Sequence, residues 1–93
     1  LVVDPGFGFG KTFEHNIQLF KTLESFGSIG VPLLVGLSRK SFLGDIVGRD
    51  VNERLQASVT AAVLAVKQGA NIVRVHDVAQ TFDGLMTLGA LSD

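Results

Sequence analysis

Cysteine is absent from this sequence of 93 residues, which excludes disulfide bonds and thiol chemistry and fits a reducing cytoplasm. Basic residues are not in excess, with 8 Lys and Arg against 9 Asp and Glu, so nucleic acid is not an expected partner. No apolar run approaches the length that crosses a membrane, and no membrane association is expected. An apolar content of 46% and a net charge of −1 indicate instead a soluble globular chain.

An initial methionine is also missing, because the chain begins at Leu1. No charged region precedes the first apolar run, so we expect no signal peptide. The length suits one compact unit or part of a larger one. We therefore expect an internal or C-terminal piece of a longer protein.

Three apolar, β-branched runs divide the chain into similar units, at residues 1–4, 31–37 and 71–76. Each run precedes a polar or glycine-rich loop and then a helical pattern, which predicts three consecutive βα units with parallel strands. Each unit takes about 31 residues, and eight such units would total roughly 250, the usual length of a (β/α)8 barrel. The spacing suits three-eighths of such a barrel and suits a small doubly wound sheet nearly as well.

Cap and stop residues mark the predicted helices: Thr12 and Gly27 for the first, Asp50 for the second, and Asp77 for the third. The first helix carries an apolar stripe at spacings of three and four residues: Phe13, Ile17, Phe20, Leu23 and Phe26. The second, over 51–68, starts at a capping-box spacing that ends on Glu53. The third is expected to carry Val78, Phe82, Leu85 and Leu88.

Polar residues collect at the carboxyl ends of the predicted strands, where α/β folds place their active sites: Asp4, Ser38, Arg39, Lys40, Arg74, His76 and Asp77. Side chains alternate along a strand, so Arg74 and His76 share one face. A buried arginine needs an anionic partner, and an Arg–His pair suits a phosphate. An internal ion pair of Arg74 with Asp4 or Asp77 is the alternative, and spacing does not decide between the two.

Asp4 and Lys40 each have a structural and a functional interpretation. An aspartate followed by Pro-Gly is typical of a turn, although its carboxylate can also accept two hydrogen bonds from a planar heterocycle. Lys40 alone would be a solvated lysine. Within "GLSRKS", beside two hydroxyl groups at a strand end, a ligand role is favoured.

The loop "DPGFGFGK", residues 4–11, misses both common phosphate-binding motifs. Pro5 stands where a P-loop needs its first glycine, and the spacing G-x-G-x-G differs from the dinucleotide pattern G-x-G-x-x-G. The alternating Phe7 and Phe9 suggest a flexible loop that places an aromatic face over a flat ligand. Packing is the expected role of Phe7.

The motifs "DPGFGFGK" with "EHN", "GLSRKSFLG" and "RVHDV", in this order, closely resemble the C-terminal third of the dihydropteroate synthase family. Each motif alone is weak, but the three strand ends lie about 34 and 36 residues apart, and this combination is specific. The resemblance covers essentially the whole chain. It implies strands six, seven and eight of a TIM barrel with their helices, with residues 1–93 forming the C-terminal part of one pterin-binding domain and no second domain.

The resemblance implies the joining of p-aminobenzoate to 6-hydroxymethyl-7,8-dihydropterin diphosphate, with release of diphosphate, in folate synthesis. Asp4, Lys40 and Arg74 would be the catalytic residues. The binding residues would be Asp4 and Lys40 for the pterin, Gly8, Phe9, Ser38 and Lys40 for p-aminobenzoate, and Arg74 with His76 for the diphosphate. Phe9 gains its ligand role only from this resemblance.

The resemblance further implies a magnesium ion whose ligands lie outside this segment, a homodimer of the full-length protein, and a cytoplasmic location. The 93-residue piece alone is expected to be inactive and poorly soluble, because its outer strands would be unpaired edges.

Three rival hypotheses remain from the sequence. A pterin-binding methyltransferase domain would use methyl-tetrahydrofolate with a corrinoid protein as partner, but it has no need of "SRKS" and "RVHD". A P-loop nucleotide-binding protein would rest on "GKT" and is opposed by Pro5. A ligand-free scaffold does not explain the charged residues at the strand ends.

Overall fold

The computed structural model describes residues 4–7, 12–27, 30 and 32–92. Helices and short strands alternate along it. In chain order they are α1 (Phe13–Lys21), α2 (Leu23–Gly27), β1 (Leu34–Val35), α3 (Ser41–Val47), a 3₁₀ turn (Val51–Glu53), α4 (Leu55–Lys67), β2 (Ile72–Val73) and α5 (Val78–Leu91). The fold is therefore α/β. Most of the first predicted strand, residues 1–3, lies outside the described residues.

Strands β1 and β2 pair in parallel, as the sequence predicts, with Leu34 opposite Ile72 and Val35 opposite Val73. The N–H of Ile72 donates to the Leu33 carbonyl at 3.1 Å, and the N–H of Arg74 to the Val35 carbonyl at 3.0 Å. Both strands are shorter than the apolar runs that predicted them. Hydrophobic runs mark burial, whereas strand length is set by how far a partner continues the ladder.

The first predicted helix is two helices. Thr12 caps α1 as expected, because its Oγ1 accepts the N–H of His15 at 3.2 Å. The helix ends at Lys21. The hydroxyl of its C-cap residue Thr22 donates to the Leu19 carbonyl at 3.0 Å, and α2 then carries the chain to Gly27. A single continuous helix is thus wrong, since a threonine hydroxyl that bonds the preceding turn competes with the helical backbone. Leu23, just after the break, is fully buried.

The second predicted helix begins later than expected. Residues Val51–Glu53 form a 3₁₀ turn, and α4 starts at Leu55. The Asp50 side chain makes no capping hydrogen bond, so the predicted capping box is absent. The end of α4 agrees with the prediction, because Gly69 follows with a φ of 110°.

The core lies where β1 packs against the helices and the turn at residues 4–7. Its buried members include Leu33, Val35, Leu37, Phe7, Phe42, Ala61 and Ala65. The Phe7 ring stacks on Phe42, with centroids 6.0 Å apart and planes inclined by 14°. The predicted packing role of Phe7 is therefore confirmed.

Helix α5 packs against α4 at a close approach. A Cβ added to Gly84 would lie 3.0 Å from a Val63 methyl and 3.1 Å from one of Val59. Thr81, also on α5, is buried. Val78 and Phe82, which the predicted stripe included, are 67% and 60% exposed. None of the helices in the described ranges is long and apolar enough to span a bilayer.

Candidate active site

The loops after β1 and β2 meet at one edge of the fold because the two strands run parallel. The first of these loops spans residues 36–40 and the second 74–77. Side chains from both also reach the turn at residues 4–7. Three segments that are far apart in the sequence therefore share one edge, as the clustering of polar residues predicted.

Asp4 forms the turn that the sequence predicts, and its binding of a heterocycle stays a prediction. Its Oδ1 accepts the N–H of Gly6 at 2.9 Å, which forms a local turn, and Gly6 has a φ of 75°. Its Oδ2 lies 3.9 Å from Arg74 Nη1. The two side chains are 40% and 60% exposed, so this long ion pair contributes little to stability. The Arg74 guanidinium is accessible to an anion in this chain.

The Arg74 side chain lies across Gly36, which directly follows β1. A Cβ at position 36 would stand 2.5 Å from Arg74 Nη2 and 2.9 Å from its Cζ. Any side chain there would displace the guanidinium. Glycine at position 36 therefore determines where the Arg74 charge is placed.

Lys40 joins the loop after β1 to the turn at residues 4–7. It occupies the N-cap position of α3, with φ −69° and ψ 151°, and its side chain does not cap that helix. Its Nζ instead donates to the Phe7 carbonyl at 2.5 Å. The lysine charge is thus held at the turn at residues 4–7 rather than in open solvent.

Ser38 and His76 are in direct contact. The Ser38 hydroxyl oxygen accepts the main-chain N–H of His76 at 3.1 Å and lies 2.9 Å from its Nδ1. The direction of this second hydrogen bond depends on the tautomer of the imidazole ring. The residue assigned to p-aminobenzoate and one assigned to diphosphate are therefore neighbours.

Asp77 pairs with Arg39, and among the described residues Arg74 approaches Asp4 rather than Asp77. Arg39 Nη2 lies 2.6 Å from one carboxylate oxygen, and Nε donates to the other at 3.2 Å. The hydrogen bond from Arg39 lowers the pKa of Asp77 and raises that of Arg39, while desolvation opposes both shifts. This two-point contact links the loops after β1 and β2.

Residues 1–76 match the family model described as pterin binding enzyme. The chain belongs to this family.

Several relatives of this chain are dihydropteroate synthases. The dihydropteroate synthase of Haemophilus influenzae is 51% identical over 85 residues, which make up 91% of this chain and 31% of that protein. The crystal structure of dihydropteroate synthase from Stenotrophomonas maltophilia superposes with a TM-score of 0.95 at 54% identity, covering 98% of this chain and 35% of that one. Dihydropteroate synthase from Xanthomonas albilineans, in complex with 7,8-dihydropteroate, superposes with a TM-score of 0.96 at 47% identity. The match covers 98% of this chain and 35% of that one.

The chain therefore spans about a third of the length of these relatives. The TM-scores show that the arrangement of helices and strands in this chain matches the corresponding third of those structures.

Two of the predicted site residues, Gly8 and Phe9, lie outside the described residues. The predicted magnesium ion has no visible place in the described ranges, because they hold no group of three acidic, histidine or cysteine side chains that could ligate a metal. Its ligands, expected beyond this segment, stay a prediction.

Residues around Arg39 were missed by the sequence reasoning. The N–H of Arg39 donates to Ser58 Oγ at 2.8 Å, and its carbonyl accepts from Arg54 Nη1 at 3.0 Å. Arg39 also has a left-handed backbone, with a φ of 57°, which costs a residue other than glycine about 1–2 kcal/mol. Only its place between Ser38 and Lys40 could have drawn attention to it, because neither contact follows from spacing.

Proposed function

We propose that this chain is the C-terminal third of a dihydropteroate synthase, carrying strands six to eight of a (β/α)8 barrel within one pterin-binding domain and no second domain. The order of the elements, the parallel pair and the share of each relative that the chain covers support this assignment. In such a barrel the loops after the strands carry the chemistry, and the residues after the last two strands often bind phosphate.

The proposed reaction is the condensation of 6-hydroxymethyl-7,8-dihydropterin diphosphate with p-aminobenzoate to 7,8-dihydropteroate and diphosphate. The name of the relatives supports it, as does the 7,8-dihydropteroate bound to the Xanthomonas albilineans enzyme. The observation that supports the proposal most directly is geometric. Arg74 approaches Asp4, and Lys40 donates a hydrogen bond to the Phe7 carbonyl, so charged side chains from three segments share one edge of the fold.

Arg74 and His76 would bind the departing diphosphate. The carbon–oxygen bond between the pterin methylene and the diphosphate breaks, and its electron pair leaves with the diphosphate. A guanidinium and an imidazole N–H stabilise the charge that grows on those oxygens. The accessible face of Arg74 is consistent with this role.

Asp4 and Lys40 would hold the pterin, and Ser38, Lys40, Gly8 and Phe9 would orient p-aminobenzoate. The neutral arylamine then forms the new carbon–nitrogen bond and releases one proton to water. Because that amine is already nucleophilic, positioning rather than a general base is the contribution required of these residues. The residue roles are part of the proposal.

A homodimer of the full-length protein and a cytoplasmic location also belong to the proposal. No contact among the described residues bears on either, and they stay predictions.

A titration of the full-length protein tests the function. We expect binding of the pterin diphosphate, and turnover when p-aminobenzoate is added, with no saturable binding of ATP or methyl-tetrahydrofolate. Calorimetry measures the first and release of diphosphate the second. Tight binding of methyl-tetrahydrofolate without synthase turnover would point to the methyltransferase instead. Tight binding of ATP would point to a nucleotide-binding protein.

A further inference from the structure

Arg39 stands between Ser38 and Lys40, and its main chain is fixed from both sides. The N–H donates to the hydroxyl of Ser58 on α4, and the carbonyl accepts from Arg54. Ser58 is 4% exposed, so this anchor lies inside the fold. A left-handed residue changes the direction of the chain, and the two neighbours indeed reach different partners: His76 for Ser38 and the Phe7 carbonyl for Lys40.

The Arg39 side chain supplies a third attachment through Asp77. That carboxylate accepts two hydrogen bonds from the guanidinium and is only 14% exposed. Two-point arginine–carboxylate contacts fix orientation as well as distance. Asp77 directly follows His76, so the contact ties the loop that presents the lysine to the loop that presents the diphosphate-binding pair.

We infer that Arg39, Arg54, Ser58 and Asp77 form a positioning unit, the Arg39 clamp, which holds Ser38 and Lys40 at the place where p-aminobenzoate binds. The inference deepens the proposed function and rests on it. Within the clamp no residue is assigned to a substrate, and its members act through the two residues beside Arg39.

Opening the clamp should impair the binding of p-aminobenzoate and leave the binding of the pterin diphosphate largely intact. Asp4 and Arg74 are attached to the turn at residues 4–7 and to Gly36, not to the clamp. If the clamp opens, Lys40 keeps its hydrogen bond to the Phe7 carbonyl and so stays on the pterin side, whereas Ser38 loses its fixed separation from the diphosphate side. The loss then falls on capture and alignment of p-aminobenzoate, where small displacements have large kinetic effects.

Asp77→Asn in the full-length protein tests the clamp, because it removes the charge and keeps the size. We expect the KM of p-aminobenzoate to rise about tenfold, with affinity for the pterin diphosphate alone changing less than about threefold. Ser58→Ala, which frees the Arg39 N–H from the other side, should produce the same selective rise. Asp77→Glu keeps the charge and should restore the KM to within about threefold of the wild type.

Glu53→Gln is the matched control. It removes the carboxylate of another arginine pair, Arg49–Glu53 at 3.7 Å, which lies outside both loops. It should change neither the KM of p-aminobenzoate nor the affinity for the pterin diphosphate. If Asp77→Asn does not fold, Arg39→Gln breaks the same contact from the other side and is judged by the same measurements.

The wild type separates the two proposals. If it fails to turn over both substrates, the proposed function fails and the inference with it. Suppose instead that the wild type turns over both substrates. The clamp alone is then overturned if Asp77→Asn and Ser58→Ala weaken the binding of both substrates equally, or of neither substrate.

Discussion

The two ends of the β1–β2 pair are joined by different kinds of contact. At the amino end, the N–H of Leu33 donates to Asn71 Oδ1 and the N–H of Asn71 donates to the Leu33 carbonyl, both at 2.9 Å. At the carboxyl end the loops are joined through side chains, by the Arg39–Asp77 ion pair and by the hydrogen bond between Ser38 and His76.

Contacts at the amino end of this strand pair contribute to stability, whereas contacts at the carboxyl end serve ligand binding. A neutral bond to a buried main-chain group costs free energy of folding when it is lost. Exposed charged contacts add little to stability but determine where a charge lies. We therefore expect substitutions at the carboxyl end to change ligand binding, and substitutions at the amino end to change the free energy of unfolding.

Arg74→Ala should have the largest effect at the carboxyl end. We expect affinity for the pterin diphosphate to fall by about 2–4 kcal/mol, roughly 30- to 1000-fold, because a charged contact to the diphosphate is lost. The unphosphorylated pterin should bind almost as before, as calorimetry on the full-length protein can show. Arg49→Ala, at an exposed arginine paired only at 3.7 Å, is the control. Equal losses for both ligands would contradict the role of Arg74.

Gly36→Ala should have a smaller effect of the same kind. The new Cβ would meet the Arg74 guanidinium, and a flexible side chain can move away at little cost to folding. We expect about a tenfold loss of affinity for the pterin diphosphate and a small change in melting temperature. Gly89→Ala, where a Cβ meets nothing within 4 Å, should leave the affinity unchanged. Unchanged affinity in Gly36→Ala would show that the guanidinium position is not limiting.

Asn71→Ala should have the smallest effect on ligands and a clear effect on folding. It leaves the N–H of the buried Leu33 without its side-chain acceptor, and we expect a loss of about 1–2 kcal/mol in the free energy of unfolding. Affinity for the pterin diphosphate should stay within about twofold. Urea denaturation beside Asn52→Ala, at an exposed position in the 3₁₀ turn, measures the difference. A large loss of ligand affinity would remove the distinction between the two ends.

Local sequence patterns predicted which segments form helices and strands, but they predicted the first and last residues of those segments less well. The Thr12 cap and the stop near Gly69 were predictable because each depends on residues adjacent in the chain. The break at Thr22 was not, since a threonine inside a helical pattern can bond the preceding turn or leave it alone. The absent capping box at Asp50 shows likewise that correct spacing does not guarantee a bond.

The candidate site divides in the same way. Asp4, Lys40 and Arg74 were predictable as a group, because parallel strands bring their carboxyl ends to one edge. The partner of each was not: Asp77 bonds Arg39, and Arg74 rests on Gly36. Such choices depend on distances between loops that lie more than 30 residues apart in the chain.

By itself, the amino-acid order determined the alternation of strands and helices, the parallel pairing and the end of the fold where polar groups gather, since all three follow from local hydrophobic pattern and chain direction. Only the tertiary structure decided which charge meets which, how Arg39 turns the chain, and why position 36 has no side chain. The physical reason is that hydrogen bonds and close contacts require alignment within a fraction of an ångström, and that alignment exists only once the helices and strands have packed.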